Sequence, residues 1–381
     1  MQPFMNWPSY IGVVVAAVAM STGLLRAQAV SAEPDLSGRQ LFVAACANCH
    51  GANGRGAPQS QVGFTIALPD FSDCNYSSRE NAQDWFAIVH EGGRIRSFSK
   101  RMPAFGSALS SDQIERVVAY VRSLCEDPSW PRGELNLPRA HLTEKAFPED
   151  ESVFTSASSG EPGARASTFA YIHEKRFGAR TQIEVRVPLT LGRLASDSTS
   201  NNFSGHLGDV SVALKRVLSH NQSLSRAHIL SGGVELALPT GNASLGTGSG
   251  TPVAEPFVLA AQMLGPDAFV QFQGAVEFPF DARKATTEAV GRAVIGRSFA
   301  PSGNGRTFTP MVEVEGVHEL SSGAMFEWSW VPQMQISLSR RQHISASVGA
   351  RLPFGRRAGV ARELLAYLVW DWFDGGFLDG W

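Results

Sequence analysis

Two rhythms of hydrophobic and polar positions run along this chain. Between residues 33 and 127 the apolar positions keep a helical period. Ile114, Val117, Val118, Val121 and Leu124 recur at the spacing of one helix face. Ser110-Ser111-Asp112-Gln113 precedes them as a capping box, in which serine and glutamine satisfy each other's end of the helix. Ser37-Gly38-Arg39-Gln40 plays the same part before Leu41, Phe42 and Ala45, and a third helix is predicted over Asn81–His90 with Trp85, Ile88 and Val89 inward. From residue 166 the period becomes two. Ile183, Val185, Val187 and Leu189 alternate with Gln182, Glu184 and Arg186. Val270, Phe272, Val276, Phe278 and Phe280 lie opposite Gln271, Gln273 and Glu277, and Ile344, Ala346, Val348, Ala350 and Leu352 alternate with His343, Ser345, Ser347 and Arg351. Such alternation predicts strands, about ten to twelve before the chain ends. Residues 128–165 show neither period. They are rich in proline and charge up to Glu151 and low in bulk afterwards, so a tether is predicted, with Trp130, Leu135, Leu137 and Phe147 as isolated anchors.

The N-terminal residues 1–32 read as a signal peptide. Ile11 to Met20 is an apolar run, and Ala27-Gln28-Ala29 or Val30-Ser31-Ala32 fits a peptidase site. The run is shorter than the roughly 20 residues a membrane helix needs. Met1 to Tyr10 holds no Lys or Arg, which departs from the signal pattern; an uncleaved anchor or a misassigned start is the alternative. Composition narrows the function classes. The 381 residues balance 33 Lys+Arg against 35 Asp+Glu, which gives nucleic-acid binding no electrostatic support. A mean hydropathy of −0.07 excludes a bundle of membrane helices.

All four cysteines lie between Cys46 and Cys125. Cys46-Ala47-Asn48-Cys49-His50 has the C-x-x-C-H spacing of covalent haem attachment: two thiols one turn apart meet the two vinyl groups, and the adjacent histidine turns onto the iron. A thioredoxin-like redox pair would need a strand–helix pattern before the motif, and a zinc site would need a second ligand pair; neither is present in this segment. Met102, in Lys100-Arg101-Met102-Pro103-Ala104-Phe105, is the sole methionine between Met20 and Met263 and is expected as the second axial ligand, with His90 as the rival. Cys74 and Cys125 remain. An exported domain favours a bridge between them over two free buried thiols, both of which fit the sequence.

These residues together resemble a class I c-type cytochrome over about Asp35 to Asp127, through Gly38, Phe42, the run CANCHGANGRG from Cys46, MPAFG from Met102 and the terminal VVAYVRSL. The resemblance implies a compact all-α domain at 33–127 holding one covalent haem c, attached to Cys46 and Cys49, with His50 and Met102 as the iron's two ligands. It further implies the Pro58 carbonyl as partner to the His50 ring. Arg94 or Arg96 could reach a haem propionate, or be an ordinary solvated arginine.

The strand-rich residues 166–381 are expected to form an antiparallel β-barrel of the outer-membrane type, giving an α + β two-domain chain. The connections are unequal, with Leu194–Gly205 and Thr240–Pro252 long and polar, and Trp328, Trp330, Trp370, Trp372, Phe373 and Trp381 are candidates for aromatic girdles. A soluble periplasmic β-sandwich is the alternative, because Gly375 and Asp379 interrupt the terminal aromatic spacing of Phe373, Phe377 and Trp381. This half is similar, through GDVSVALK from Gly208 and SGGVELALPTGN from Ser231, to the outer-membrane transporter family associated with phenol-degradation operons. His173, His206, His220, His228, His318 and His343 lack metal-ligand spacing and read as lumen or loop residues. The expected function is a single-haem electron carrier, not an enzyme, held at the outer membrane with its cytochrome in the periplasm among redox proteins. A haem-coupled porin passing or sensing a small solute is the second reading.

Overall fold

The computed structural model describes residues 35–161, 164–193, 204–222, 227–300, 305–354 and 362–381. The expected signal peptide lies outside them.

The helical part follows from its caps. In α1 (Gly38–Ala45) and α6 (Ser111–Ser123) both capping boxes form, Ser37 with Gln40 and Ser110 with Gln113. Between them lie α2 (Ala47–His50), α3 (Gln59–Val62), α4 (Cys74–Ser77) and α5 (Ala82–Glu91), whose N-cap Asn81 accepts from the amides of Gln83 and Asp84. Gly38 allows α1 and α6 to cross closely: a β-carbon there would run into the Arg116 carbonyl. That crossing seats Phe42 against Tyr120, with ring centroids 5.4 Å apart, in a core with Leu41, Phe71, Val117 and Val121. Cys74 and Cys125 form a disulfide, as the exported reading favoured. It clasps α4 to the end of α6. With a sequence separation of 51 between the cysteines, it restricts the unfolded chain by roughly 4 kcal/mol.

The strands are β1 (Glu151–Glu161), β2 (Ala164–Phe177), β3 (Thr181–Arg193), β4 (Ser204–Leu207), β5 (Val210–Asn221), β6 (His228–Leu238), β7 (Val253–Met263), β8 (Ala268–Pro279), β9 (Glu288–Arg297), β10 (Phe308–Glu319), β11 (Glu327–Ser337), β12 (Ile344–Phe354) and β13 (Glu363–Asp371). Neighbours pair antiparallel, and β4 and β5 share one place beside β3. β13 returns to β1, from Glu151 opposite Asp371 to Ser159 opposite Glu363, so the sheet closes into a twelve-position barrel. Closure leaves no edge, which a sandwich would keep. The alternation also places polarity as a membrane barrel needs it. Leu214, Phe272 and Val348 are 50, 49 and 60% exposed on the outside, whereas Gln271, Gln273, Ser347 and Glu313 are buried within.

The tether is where sequence and structure part. The barrel begins at Glu151, inside the stretch expected to be a flexible linker up to residue 165, and residues 137–150 are threaded through the lumen. Leu137, Ala140, Ala146 and Phe147 join one buried cluster with Val217, Ile229, Leu259 and Val294 of the wall. This segment has no secondary structure, so wall side chains satisfy its backbone. The amides of Leu142 and Thr143 donate to Glu313 at 3.1 and 2.6 Å, and Gln271 donates to the Pro138 carbonyl at 2.8 Å. Lys215 and Ser231 donate to the carbonyls of Lys145 and Ala146, each at 2.6 Å. The two cations of the plug are paired: Arg139 bridges Glu151 and Glu174 at 2.6 and 2.7 Å, and Lys145 contacts Glu149.

Candidate haem site

The helices enclose a cavity of about 380 Å³. Cys46 ends α1 and begins α2, so Cys49 and His50 follow within a single turn, and all three line the cavity. Met102 lines it too, on the loop after Gly93–Arg96, where the Met102 carbonyl accepts from the Gly93 amide at 3.1 Å. Phe42, Phe71, Trp85, Val89, Phe105 and Val117 supply apolar walls. The structure thus brings the four sequence-selected residues, Cys46, Cys49, His50 and Met102, to one cavity. His90 takes another place: it stacks on Phe86 at 5.6 Å and its Nδ1 pairs with Glu91 at 2.8 Å, outside the cavity lining.

Electrostatics suit a neutral ligand set. Burial pushes the Cys46 thiol up to about 11, aided by Cys49, the opposite of what a thiolate redox pair needs. Burial lowers the basicity of His50 and keeps its imidazole neutral. The expected Pro58 contact is absent. His50 Nδ1 is buried with no hydrogen-bond partner, and Pro58 serves instead as the N-cap of α3, with its carbonyl accepting from Gln61. Cys46 and Cys49 remain unbridged while Cys74 and Cys125 are joined. Two free thiols, a neutral histidine and a thioether around one apolar cavity fit a c-type haem.

Residues 33–121 match the family model for cytochrome c oxidase, cbb3-type, subunit III. Cytochrome c6 of Nostoc sp. is 31% identical over 118 residues, covering 31% of this chain and 94% of that protein. The chain belongs to the c-type cytochromes. The cytochrome domain is also 29% identical over 99 residues to the cbb3-type cytochrome c oxidase subunit FixP of Sinorhizobium medicae, where the match spans 25% of this chain and 32% of FixP. The chain therefore spans about a third of that relative. Among solved structures, the COG4313 outer membrane channel from Pseudomonas putida F1 is similar with a TM-score of 0.43 and 13% identity, covering 61% of this chain and 98% of the channel. The KdgM porin is similar with a TM-score of 0.37 and 10% identity, covering 57% of this chain and 98% of the porin.

Of the two arginines the sequence offered for the polar side of the cytochrome's cavity, Arg96 is buried there and bound to Asp84 at 2.6 Å, whereas Arg94 is exposed; the rest of that side was missed. Glu80 lines it as well, and so do Arg341, Phe373 and Asp374, which come from the barrel. Phe373 is thereby removed from the girdle candidates: it lies under the Arg79 guanidinium, 3.7 Å from the ring centroid. Trp328, Trp330 and Trp381 do stand exposed, at 44, 41 and 52%. The clue to these residues was weak, a Trp-Phe-Asp run just after the last strand pattern. Among the described residues, the carboxylates of Glu80, Asp371 and Asp374 lie within 4.8 Å of one another, without a histidine.

Proposed function

We propose that this protein is a single-haem electron carrier, built into the outer membrane by its barrel and exchanging electrons with periplasmic redox proteins. The observation that carries the reading is the tether inside the lumen: residues 137–150 turn the barrel into a plugged anchor for a cytochrome domain. Cys46 and Cys49 would hold the haem covalently, and His50 and Met102 would ligate its iron. The haem would supply one-electron exchange between Fe(III) and Fe(II). With protein supplying both of those ligands, substrate would find no place on the iron, so the protein is not an enzyme in this reading. The apolar exterior supports the membrane placement.

The termini of the barrel, Glu151 and Asp371, pair on the rim where the cytochrome is attached, and 239–252, the longest fully described connection, lies on the other. Barrels with short periplasmic turns and long outer loops would thus place the haem in the periplasm. The haem-coupled porin, and a transporter of the phenol-operon kind, would need the lumen that the plug fills. The test is an outer-membrane fraction run unheated and heated on a haem-stained gel. A haem band near 41 kDa that shifts on heating is expected. A stain confined to soluble periplasm, or absent, would reject the reading. Substituting Met102 by alanine should lower the midpoint potential and open the iron to carbon monoxide, measured by potentiometry and visible spectra.

A further inference from the structure

The barrel contributes part of the cytochrome cavity wall. Arg341, in the connection between β11 and β12, lines it together with Phe373 and Asp374, which follow β13. Arg341 is fixed from three sides. Its Nη1 donates to the Asp374 carbonyl at 2.7 Å, its Nη2 to the Ser97 carbonyl at 3.2 Å, and its guanidinium lies 4.7 Å from the Phe98 ring centroid. Its Nε is buried and has no hydrogen-bond partner. Arg96, the other buried guanidinium in the wall, gives both its Nε and Nη2 to Asp84, at 2.9 and 2.6 Å. Arg341 therefore brings a positive charge and a spare buried donor to a cavity whose polar lining also holds Arg96, Arg101, Glu80, Asp84 and Asp374. A haem carries carboxylates of its own, and a buried donor left unmade is costly.

We propose that the haem site is shared between the two halves of the chain: Arg341 of the barrel faces the haem carboxylates and, with Asp374, sets the reduction potential. The proposal rests on the haem reading of the cavity. It also makes the cytochrome a fixed relay instead of a domain swinging on a tether, because its haem pocket and the barrel rim are one structure. A positive charge near the iron favours Fe(II), and a carboxylate favours Fe(III). The two residues should thus push the potential in opposite directions.

The test uses full-length chain in detergent, titrated spectroscopically with redox mediators at a pH above neutrality, where the Asp374 carboxyl is ionised. Arg341→Gln should lower the Fe(II)/Fe(III) ratio at fixed ambient potential about tenfold, a shift of about 59 mV for one electron. Arg341→Lys should keep most of the wild-type value, and Asp374→Asn should shift the ratio the other way. If Arg341→Gln fails to take up haem, the sign of the Asp374→Asn shift decides. Haem-loaded variants whose potentials match wild type would overturn the barrel's part in the site. Wild-type chain without covalent haem on a stained gel would instead overturn the haem reading itself.

Discussion

At the scale of the residue, Gly38 shows how one missing side chain sets the helical half. Its backbone lies against the Arg116 carbonyl, and only that approach lets Phe42 reach Tyr120. Gly38→Ala should destabilise the cytochrome by at least about 2 kcal/mol, because neither backbone can yield without uncoupling α1 from α6. Denaturant unfolding followed by haem absorbance would measure it; a change under about 0.5 kcal/mol would mean the crossing is slack. That Cys46, Cys49 and His50 would meet at one cavity was readable from sequence at this scale, because C-x-x-C-H holds them within a single turn. Pro58 was not, because a histidine's partner depends on the loop path between them.

At the scale of elements, the seam between α4–α5 and the end of β13 is acidic. Burial raises the Glu80 carboxyl well above its ordinary range, with Asp374 beside it, and burial with Asp371 nearby brings Asp374 up to about 7. Carboxyls raised by folding stabilise the folded state when protonated. That contribution is complete below the ordinary carboxylate range, and the part due to Asp374 is lost as pH climbs through about 7. The Arg79 guanidinium, held by Asp150 at 2.5 Å and over the Phe373 ring, offsets part of this loss by its charge near Asp374. The seam should therefore open more readily at mildly alkaline pH than at pH near 5, read as lower amide protection in residues 73–82 after division by the base-catalysed intrinsic rate at each pH. Glu80→Gln should flatten the profile. Unchanged protection across that range would show that the pair carries no protonation-linked stability.

At the scale of the whole molecule, the plug decides what the barrel can do. Arg139 through Glu174, and the backbone of residues 143–146 through Glu313, Lys215 and Ser231, lock an extended stretch of chain into the lumen by groups far apart in sequence. Full-length protein in planar bilayers should be electrically silent. Replacing residues 137–148 with a flexible glycine–serine linker of equal length should produce discrete conductance steps, provided the barrel keeps its heat-modifiable migration. Open-channel steps from the native chain would restore the porin reading.

The sequence by itself determined the local structure: the capping boxes at Ser37 and Ser110, the haem-type motif at Cys46, and the strand alternation, because each rests on neighbours within a few residues. It also carried the correct sense of the barrel, since large apolar residues alternate with glutamine, serine and glutamate on every clear strand. Tertiary structure alone decided the fate of residues 128–150. That stretch has no period because its backbone partners are Glu313, Gln271, Lys215 and Ser231, and only closure of the barrel gathers them around it. It likewise decided that Arg341, Phe373 and Asp374 border the cytochrome cavity. A cavity wall assembled from residues more than two hundred positions apart leaves no periodic trace, because the forces that build it act only once both halves have folded.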